Sequence, residues 1–309
     1  MNKLISSVSP HVSGKRTTQN IMLDVVIALL PAAVASVIIF GWRSLLVIGV
    51  CVASCMLSEF LFEKLCRREN TVLDLSSVVT GMLLAFNLPV TIPIWQAVLG
   101  SVIAIVVVKQ LFGGIGQNFA NPAITARIIM MTAFSGTMTA WVTPEIADVV
   151  SSATPLAAAA KGNKDGMPSY LSLFLGTHGG CLGETCALAL ILGGIYLLAR
   201  GVISWHTPVA FIATVAVMSF LCGKDVLYQV LSGGLMIGAF FMATDYATTP
   251  STKWGKVIFG IGCGLITILI RFWGNLPEGV SFSILLMNIL TPYISKLTQN
   301  KPLTGGVKA

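Results

Sequence analysis

The residue whose neighbours most clearly bear chemistry is Thr154, in the stretch Val149 to Gly162, VVSSATPLAAAAKG. Threonine followed by proline and then by LAAAA is a good helix start: Thr154 serves as N-cap, Pro155 takes the first helical position, and strong helix formers follow. Such a start gathers unpaired backbone N–H groups at the positive end of a helix dipole. A phosphate carried on the Thr154 hydroxyl, with Ser151, Ser152 and Ala153 leading into it, would sit where anions are favoured. Without that phosphate the same residues read as a capped surface helix. A second polar stretch, GGIGQNFANPA (Gly113 to Ala123), has glycines that allow close backbone approach, and Asn118 and Asn121 each bring a donor and an acceptor. The pair Asn121–Pro122 also reads as a plain helix cap. Arg127, one turn further on, is placed either to neutralise an anion or to snorkel to an interface. In FMATDYATTP (Phe241 to Pro250), Asp245 stands among Thr244, Thr248 and Thr249. It suits a cation or a ring N–H, or an ion pair with Lys253 or Lys256.

The remaining candidates carry less. Asp24, Glu59, Asp74, Glu184, Asp225 and Glu278 fall near the ends of apolar runs rather than at their middles, which lowers their individual weight. His11, His178 and His206 make no pair at ligand spacing. The seven cysteines contain no C-x-x-C, and Cys181 and Cys186, flanking a helix start, read as core residues rather than iron ligands.

These groups must be positioned by a chain of 309 residues that is 55% hydrophobic and only 10% charged, with mean hydropathy +0.86. Soluble domains carry about 25% charged residues, and apolar runs near about 20 residues read as spanning helices. Ten such runs are visible: Met22 to Phe40, Ser44 to Phe62, Leu73 to Leu88, Ile94 to Phe112 and Pro122 to Ala140, then Leu182 to Arg200, Trp205 to Cys222, Val226 to Ala243, Gly255 to Phe272 and Val280 to Leu297. The expected fold class is therefore an all-α polytopic membrane protein. A polar N-terminus ahead of the first run argues against a cleaved signal, so the first helix is expected to be retained. The net charge of +7 is spread singly between apolar runs, which argues against nucleic acid as a partner.

The third and eighth runs both end in a polar, Pro-terminated stretch, LLAFNLPVTIP (Leu83 to Pro93) and AFFMATDYATTP (Ala239 to Pro250). KQLFGGIGQN (Lys109 to Asn118) and RFWGNLPEG (Arg271 to Gly279) both place a cation before a Gly-rich turn. About ten transmembrane helices in two inverted five-helix repeats are expected, with sites at the repeat interface. The chain then divides into an N-terminal segment 1–21, a first repeat 22–140, a long loop 141–181, a second repeat 182–298 and a tail 299–309. Only Arg43, Lys161, Lys164, Lys224 and Arg271 of the 19 Lys and Arg residues fall on the side opposite the N-terminus. The positive-inside rule therefore places both termini in the cytoplasm and the 141–181 loop outside.

SSATP resembles the S-x-A-T flavinylation motif of a family of membrane proteins, called the D subunit in Rnf complexes and the B subunit in sodium-pumping NADH:quinone reductases. TTQNIMLDVVIALLPA (Thr17 to Ala32), DLSSVVTGMLLAFNLP (Asp74 to Pro89), GGIGQNFANPA, GGCLGETCALALILGG (Gly179 to Gly194), FMATDYATTP and GNLPEGVSFSILLMN (Gly274 to Asn288) resemble family blocks in the same order. Lacking a long N-terminal extension, the chain is more similar to the Rnf member than to the quinone-reductase member. Ser152 stands where glycine is more usual. The resemblance implies FMN joined through a phosphoester to Thr154, and an electron-carrying component of an ion-translocating ferredoxin:NAD oxidoreductase. It also implies partners that include a flavin-bearing subunit and iron–sulfur subunits, and a bacterial cytoplasmic membrane. Asn118 and Asn121 become candidates for a second, noncovalent flavin such as riboflavin, while Arg127 and Asp245 stand as cofactor-binding candidates, Arg127 toward a phosphate or a reduced flavin and Asp245 toward a flavin N–H. The competing expectations are a component of a sodium-pumping quinone reductase and a non-redox transporter or channel, whose broken helices would look the same from sequence.

Overall fold

The computed structural model describes residues 17–141, 155–156, 168–274 and 278–299, and every regular element among these is helical. Ser151, Ser152, Ala153 and Thr154 lie outside the described residues.

Helix α1 (Thr18–Phe40) opens on Thr17, whose hydroxyl accepts from Asn20 N at 3.3 Å, and closes at Gly41, whose φ of 76° permits an immediate reversal into α2 (Trp42–Leu65). These two, with α12 (Lys253–Trp273) and α13 (Val280–Thr298), are long and apolar enough to cross a membrane. Shorter apolar helices fill the bundle between them: α3 (Ser76–Phe86), α4 (Ile94–Val102, continued as a π-helix over Ile103–Gln110), α5 (Pro122–Ala133), α8 (Ala187–Ala199) and α9 (His206–Leu221). Four further pieces, α6 (Ser135–Met138), α7 (Tyr170–Leu175), α10 (Val226–Leu231) and α11 (Leu235–Ile237, continued as a π-helix over Gly238–Met242), and a 3-10 turn over Val72–Asp74 complete the order. Large apolar side chains such as Ile38, Trp42, Leu65, Phe220, Trp254 and Leu297 are exposed around the outside. That suits a lipid-facing surface, and the chain is a multi-pass membrane protein.

Several elements are shorter than their apolar runs. Helix α3 stops at Phe86 rather than Leu88, and α8 begins at Ala187 rather than Leu182. One arrangement explains both: the segment before α8 lies against the end of α3, with Leu182 N donating to Leu88 O at 3.1 Å and Gly183 N to Phe86 O at 2.9 Å. Carbonyls freed at a helix end inside lipid need internal donors, and this loop supplies them. Glycine is required at 183, since a Cβ there would meet Phe86 Cβ at 2.3 Å. The run Val226 to Ala243 is likewise divided at Ser232–Gly234, where Gly233 has φ 70°. Arg271 covers that break, its guanidinium donating to Gln229 O at 2.6 Å and Ser232 O at 3.2 Å. The fifth run ends at Ala133 rather than Ala140, with α6 as a separate turn. Tight contact elsewhere uses small residues: Gly260 and Gly264 of α12 face Ala210 and Thr214 of α9 so closely that a Cβ would clash.

Candidate functional site

Three of the predicted site residues converge. Asn118, Asn121 and Asp245 line one cavity of about 110 Å³, walled by α1 (Met22, Val25), α3 (Ser76, Thr80), Lys109 at the end of α4, and Leu197 of α8. Asn121 does cap α5, its Oδ1 accepting from Ala123 N at 3.1 Å and Ile124 N at 3.3 Å. The capping bonds use only the oxygen, and among the described residues Nδ2 has no partner. Asn118 is the complement: its Nδ2 donates to Ala120 O at 3.0 Å, leaving Oδ1 without one among the described residues. The cavity thus has one amide donor and one amide acceptor to spare. Asp245 is turned onto its own segment, accepting from Thr248 Oγ1 at 3.2 Å and Ala247 N at 3.4 Å. Among the described residues it makes no ion pair with Lys253 or Lys256, so that alternative is not realised.

A buried ionic cluster adjoins this cavity. Lys109 Nζ donates to Glu59 Oε1 at 2.6 Å and to Ser76 Oγ at 2.5 Å. Gln110 Nε2 reaches Glu59 Oε1 at 2.8 Å and Glu63 Oε1 at 3.3 Å. Lys109, Glu59, Gln110 and Glu63 are all buried. A charge held at such depth persists only when paired.

Arg127 belongs elsewhere. It does not snorkel: it is 4% exposed and lines a second cavity of about 220 Å³. Its Nη2 donates to Glu278 Oε2 at 2.7 Å and Glu184 Oε1 at 3.0 Å, while Nη1 donates to Asn87 Oδ1 at 2.7 Å and Ser281 Oγ at 3.0 Å. Cys181 packs its thiol between Arg127 Nη2 (3.5 Å) and Asn87 O (3.4 Å). Pro155 and Leu156, which follow Thr154 in the chain, form part of this cavity's wall. Tyr228 Oη donates to Pro155 O at 3.1 Å, and Leu156 is buried against Gly233.

The two clusters lie towards opposite ends of the bundle. Because α1 and α2 are joined by a tight turn at Gly41, the start of α1 and the end of α2, with Glu59, share one end. Arg200, just after α8, pairs with Asp24 near the start of α1 at 3.2 Å. The C-terminal end of α8 therefore lies at that end, and Glu184, ahead of its N-terminus, lies towards the other.

A family profile described as the NQR2, RnfD, RnfE family matches residues 5–304. The chain belongs to this family. Among curated NQR2, RnfD, RnfE relatives, it is 48% identical over 303 residues to the D subunit of the Na(+)-translocating ferredoxin:NAD(+) oxidoreductase complex of Acetobacterium woodii, covering 97% of this chain and 95% of that one. It is 40% identical to the proton-translocating counterpart of Clostridium ljungdahlii, covering 95% and 94%. It is also 34% identical to the D subunit of an ion-translocating oxidoreductase complex of Escherichia coli, covering 94% and 96%. These relatives are subunits of an ion-translocating oxidoreductase, a translocase.

In this member of the NQR2, RnfD, RnfE family, Asn118, Asn121 and Asp245, read from the sequence as separate candidates, line one cavity, and Arg127 lines another. Glu59, Lys109, Glu184 and His178, which carried little weight in the sequence, and Glu278, read with Asp245 as a candidate for ion coupling, all turn inward. The acids were discounted for lying near the ends of apolar runs and His178 for lack of a ligand pair; of these, only Glu184, ahead of the shortened α8, is brought inward by a helix that starts late.

Proposed function

We propose that this chain is the D subunit of an Rnf-type ion-translocating ferredoxin:NAD(+) oxidoreductase, carrying electrons through FMN joined by a phosphoester to Thr154. The observation that carries the reading is the burial of Pro155 and Leu156, the residues after Thr154, against a cavity of about 220 Å³ floored by Arg127. A group attached at residue 154 starts next to that cavity, and three glycines, Gly179, Gly180 and Gly233, leave room along its wall. Ten transmembrane helices in two inverted repeats, both termini in the cytoplasm of a bacterial inner membrane, and flavin-bearing and iron–sulfur partner subunits complete the proposal. The relatives' names and the breaks after α3 and α10 support it.

The first cavity fits a second, noncovalent flavin such as riboflavin. A flavin's pyrimidine edge offers an N–H beside carbonyl oxygens, and the spare Asn118 Oδ1 and Asn121 Nδ2 match that pattern. Bound flavin supplies one- and two-electron chemistry, while the protein supplies position and electrostatics. Tyr228 and Gly233 hold the Pro155–Leu156 peptide in place. Arg127 keeps a positive charge beside the second cavity without exposing it to water, and Lys109 does the same beside the first.

Peptide mass spectrometry of the protein from its native host, alongside Thr154→Ala, tests the reading. FMN mass on the peptide containing Val149 to Lys161, absent from the variant, is the expected outcome. An unmodified threonine in the native host would remove the electron-carrier role and favour a non-redox transporter built on the same broken helices.

A further inference from the structure

Glu184 and Glu278 meet on a single nitrogen. Both carboxylates accept from Arg127 Nη2, at 3.0 and 2.7 Å, and Glu278 Oε1 also accepts from Gly234 N. Their side chains are 6% and 14% exposed. Like charges this close in a poorly solvated site do not both ionise; one proton is shared between them. Arg127 offsets one negative charge. Arg271, the next nearest cation, keeps its charge but bonds Gln229 O and Ser232 O rather than either carboxylate, so among the described residues only Arg127 pairs with them directly. The other groups around the pair are Cys181, Asn87 and Ser281, none of which carries a compensating charge.

A second observation points the same way. His178 lines the same cavity, is 5% exposed, and sets Nδ1 3.3 Å from Ser172 O, so Nε2 has no partner among the described residues. With Nδ1 donating, Nε2 is a free acceptor in the wall shared with Glu184 and Glu278. Burial holds this imidazole below its ordinary pKa, in the neutral form that can relay a proton.

We propose that Glu184 and Glu278 form a proton-exchange site serving the redox group beside Pro155, with His178 as relay. This rests on the reading that a flavin is carried on Thr154. With that group bound and taking up an electron from another redox subunit, the pair would release its one proton toward it, so that one electron and one proton arrive together. The pair passes from a net charge of −1 to −2. A proton entering through His178 Nε2 restores it, so no uncompensated charge remains at this depth in the bilayer.

The test uses the native complex. Its readouts are the midpoint potential of the flavin that Thr154→Ala removes, measured against pH, and the infrared carbonyl band of a protonated carboxyl group. One proton per electron makes the potential fall by about 59 mV for each tenfold drop in proton concentration. Glu184→Gln and Glu278→Gln should each flatten that slope and remove the band from the redox difference spectrum. A flat slope in the unaltered complex, or an unchanged slope and band in both variants, would overturn the proposal. Should the glutamine variants fail to assemble, the band is sought in Thr154→Ala protein by hydrogen–deuterium exchange, where Glu184→Asp should displace it. No band there overturns the shared proton whatever the flavin does. A band there, with flavin content unchanged by Thr154→Ala, overturns the flavin reading and leaves the shared proton standing.

Discussion

Two buried cations organise the two ends of the bundle with the same ingredients and different reach. Lys109 bonds Glu59 and Ser76 directly, and Gln110 links Glu59 to Glu63 beside it, so the cluster holds two glutamates, an amide and a serine. Arg127 also has two glutamates, an amide and a serine: Glu184, Glu278, Asn87 and Ser281. Every partner of Lys109 comes from residues 59–110, in the first half of the chain. Those of Arg127 come from the end of α3, the loop before α8, and both the loop before α13 and its first turn. Lysine's compact ammonium suits a local knot, whereas the planar guanidinium, with two nitrogens facing different ways, ties separate segments together. The local cluster is a staple inside one half; the Arg127 cluster holds the two halves against each other.

The largest effect expected from that contrast follows Arg127→Met. It leaves Glu184 and Glu278 without their direct cation, and removing one partner of a buried ion pair costs about 3–5 kcal/mol. In detergent melts the variant should lose most of its cooperative transition. Arg127→Lys should recover only part, because one ammonium cannot serve Asn87 and both acids. Lys109→Met should cost less, about 3 kcal/mol, the lower end of the same range, since Gln110 still donates to Glu59. Adding Glu59→Gln to Lys109→Met should restore stability, being a repair within one half. If both cations cost the same and both are rescued by one neutralised acid, the contrast between staple and tie fails.

The sequence carried much of this fold and less of its interior. Apolar runs located the long helices α1, α2, α12 and α13 well, because length and composition alone decide them. It could not show where α3 and α10 stop, since those ends depend on Leu182, Gly183 and Arg271, donors roughly 40 to 100 positions away in the chain. The acid at position 184 looked interfacial for the same reason, whereas Glu59, inside the unbroken α2, and Glu278 are drawn inward by their cation partners Lys109 and Arg127. Asn118 and Asn121 were legible because glycines, an amide pair and a proline stood within one short stretch. Asp245 was legible as a candidate among threonines, but its turn onto Ala247 and Thr248 was not. The Gly-rich stretch Gly179 to Gly183, by contrast, gave no hint from spacing that it would cap a helix from the other half.

A smaller effect should distinguish the peptide seat from the charge cluster beneath it. Gly233 has φ 70°, and a Cβ there would meet Leu156 Cδ1 at 2.7 Å and Arg271 Nη2 at 3.2 Å. Gly233→Ala should cost about 1–3 kcal/mol through backbone strain and displacement of Leu156. Limited proteolysis should then cut faster near residue 156 while the Arg127 pairs persist. Equal proteolysis rates in the two proteins would mean that Leu156 finds another seat and that Gly233 serves only the break after α10.

The smallest change in stability is expected from Asn121→Ser. Serine and asparagine are comparable N-caps, so α5 keeps its start and stability should move by less than about 0.5 kcal/mol. What disappears is the spare Nδ2 donor facing the first cavity. Flavin released by denaturation without hydrolysis should fall towards zero, while flavin held on the chain stays unchanged, because Asn121 has no part in the Arg127 cluster. Asn118→Ala, which removes the matching acceptor, should give the same split. If released flavin persists in both variants, the amide pair is a cap and a loop brace, and the first cavity loses its claim to a ligand. If both kinds of flavin fall together, the two ends of the bundle are coupled, and the separation between staple and tie gives way to one cooperative unit.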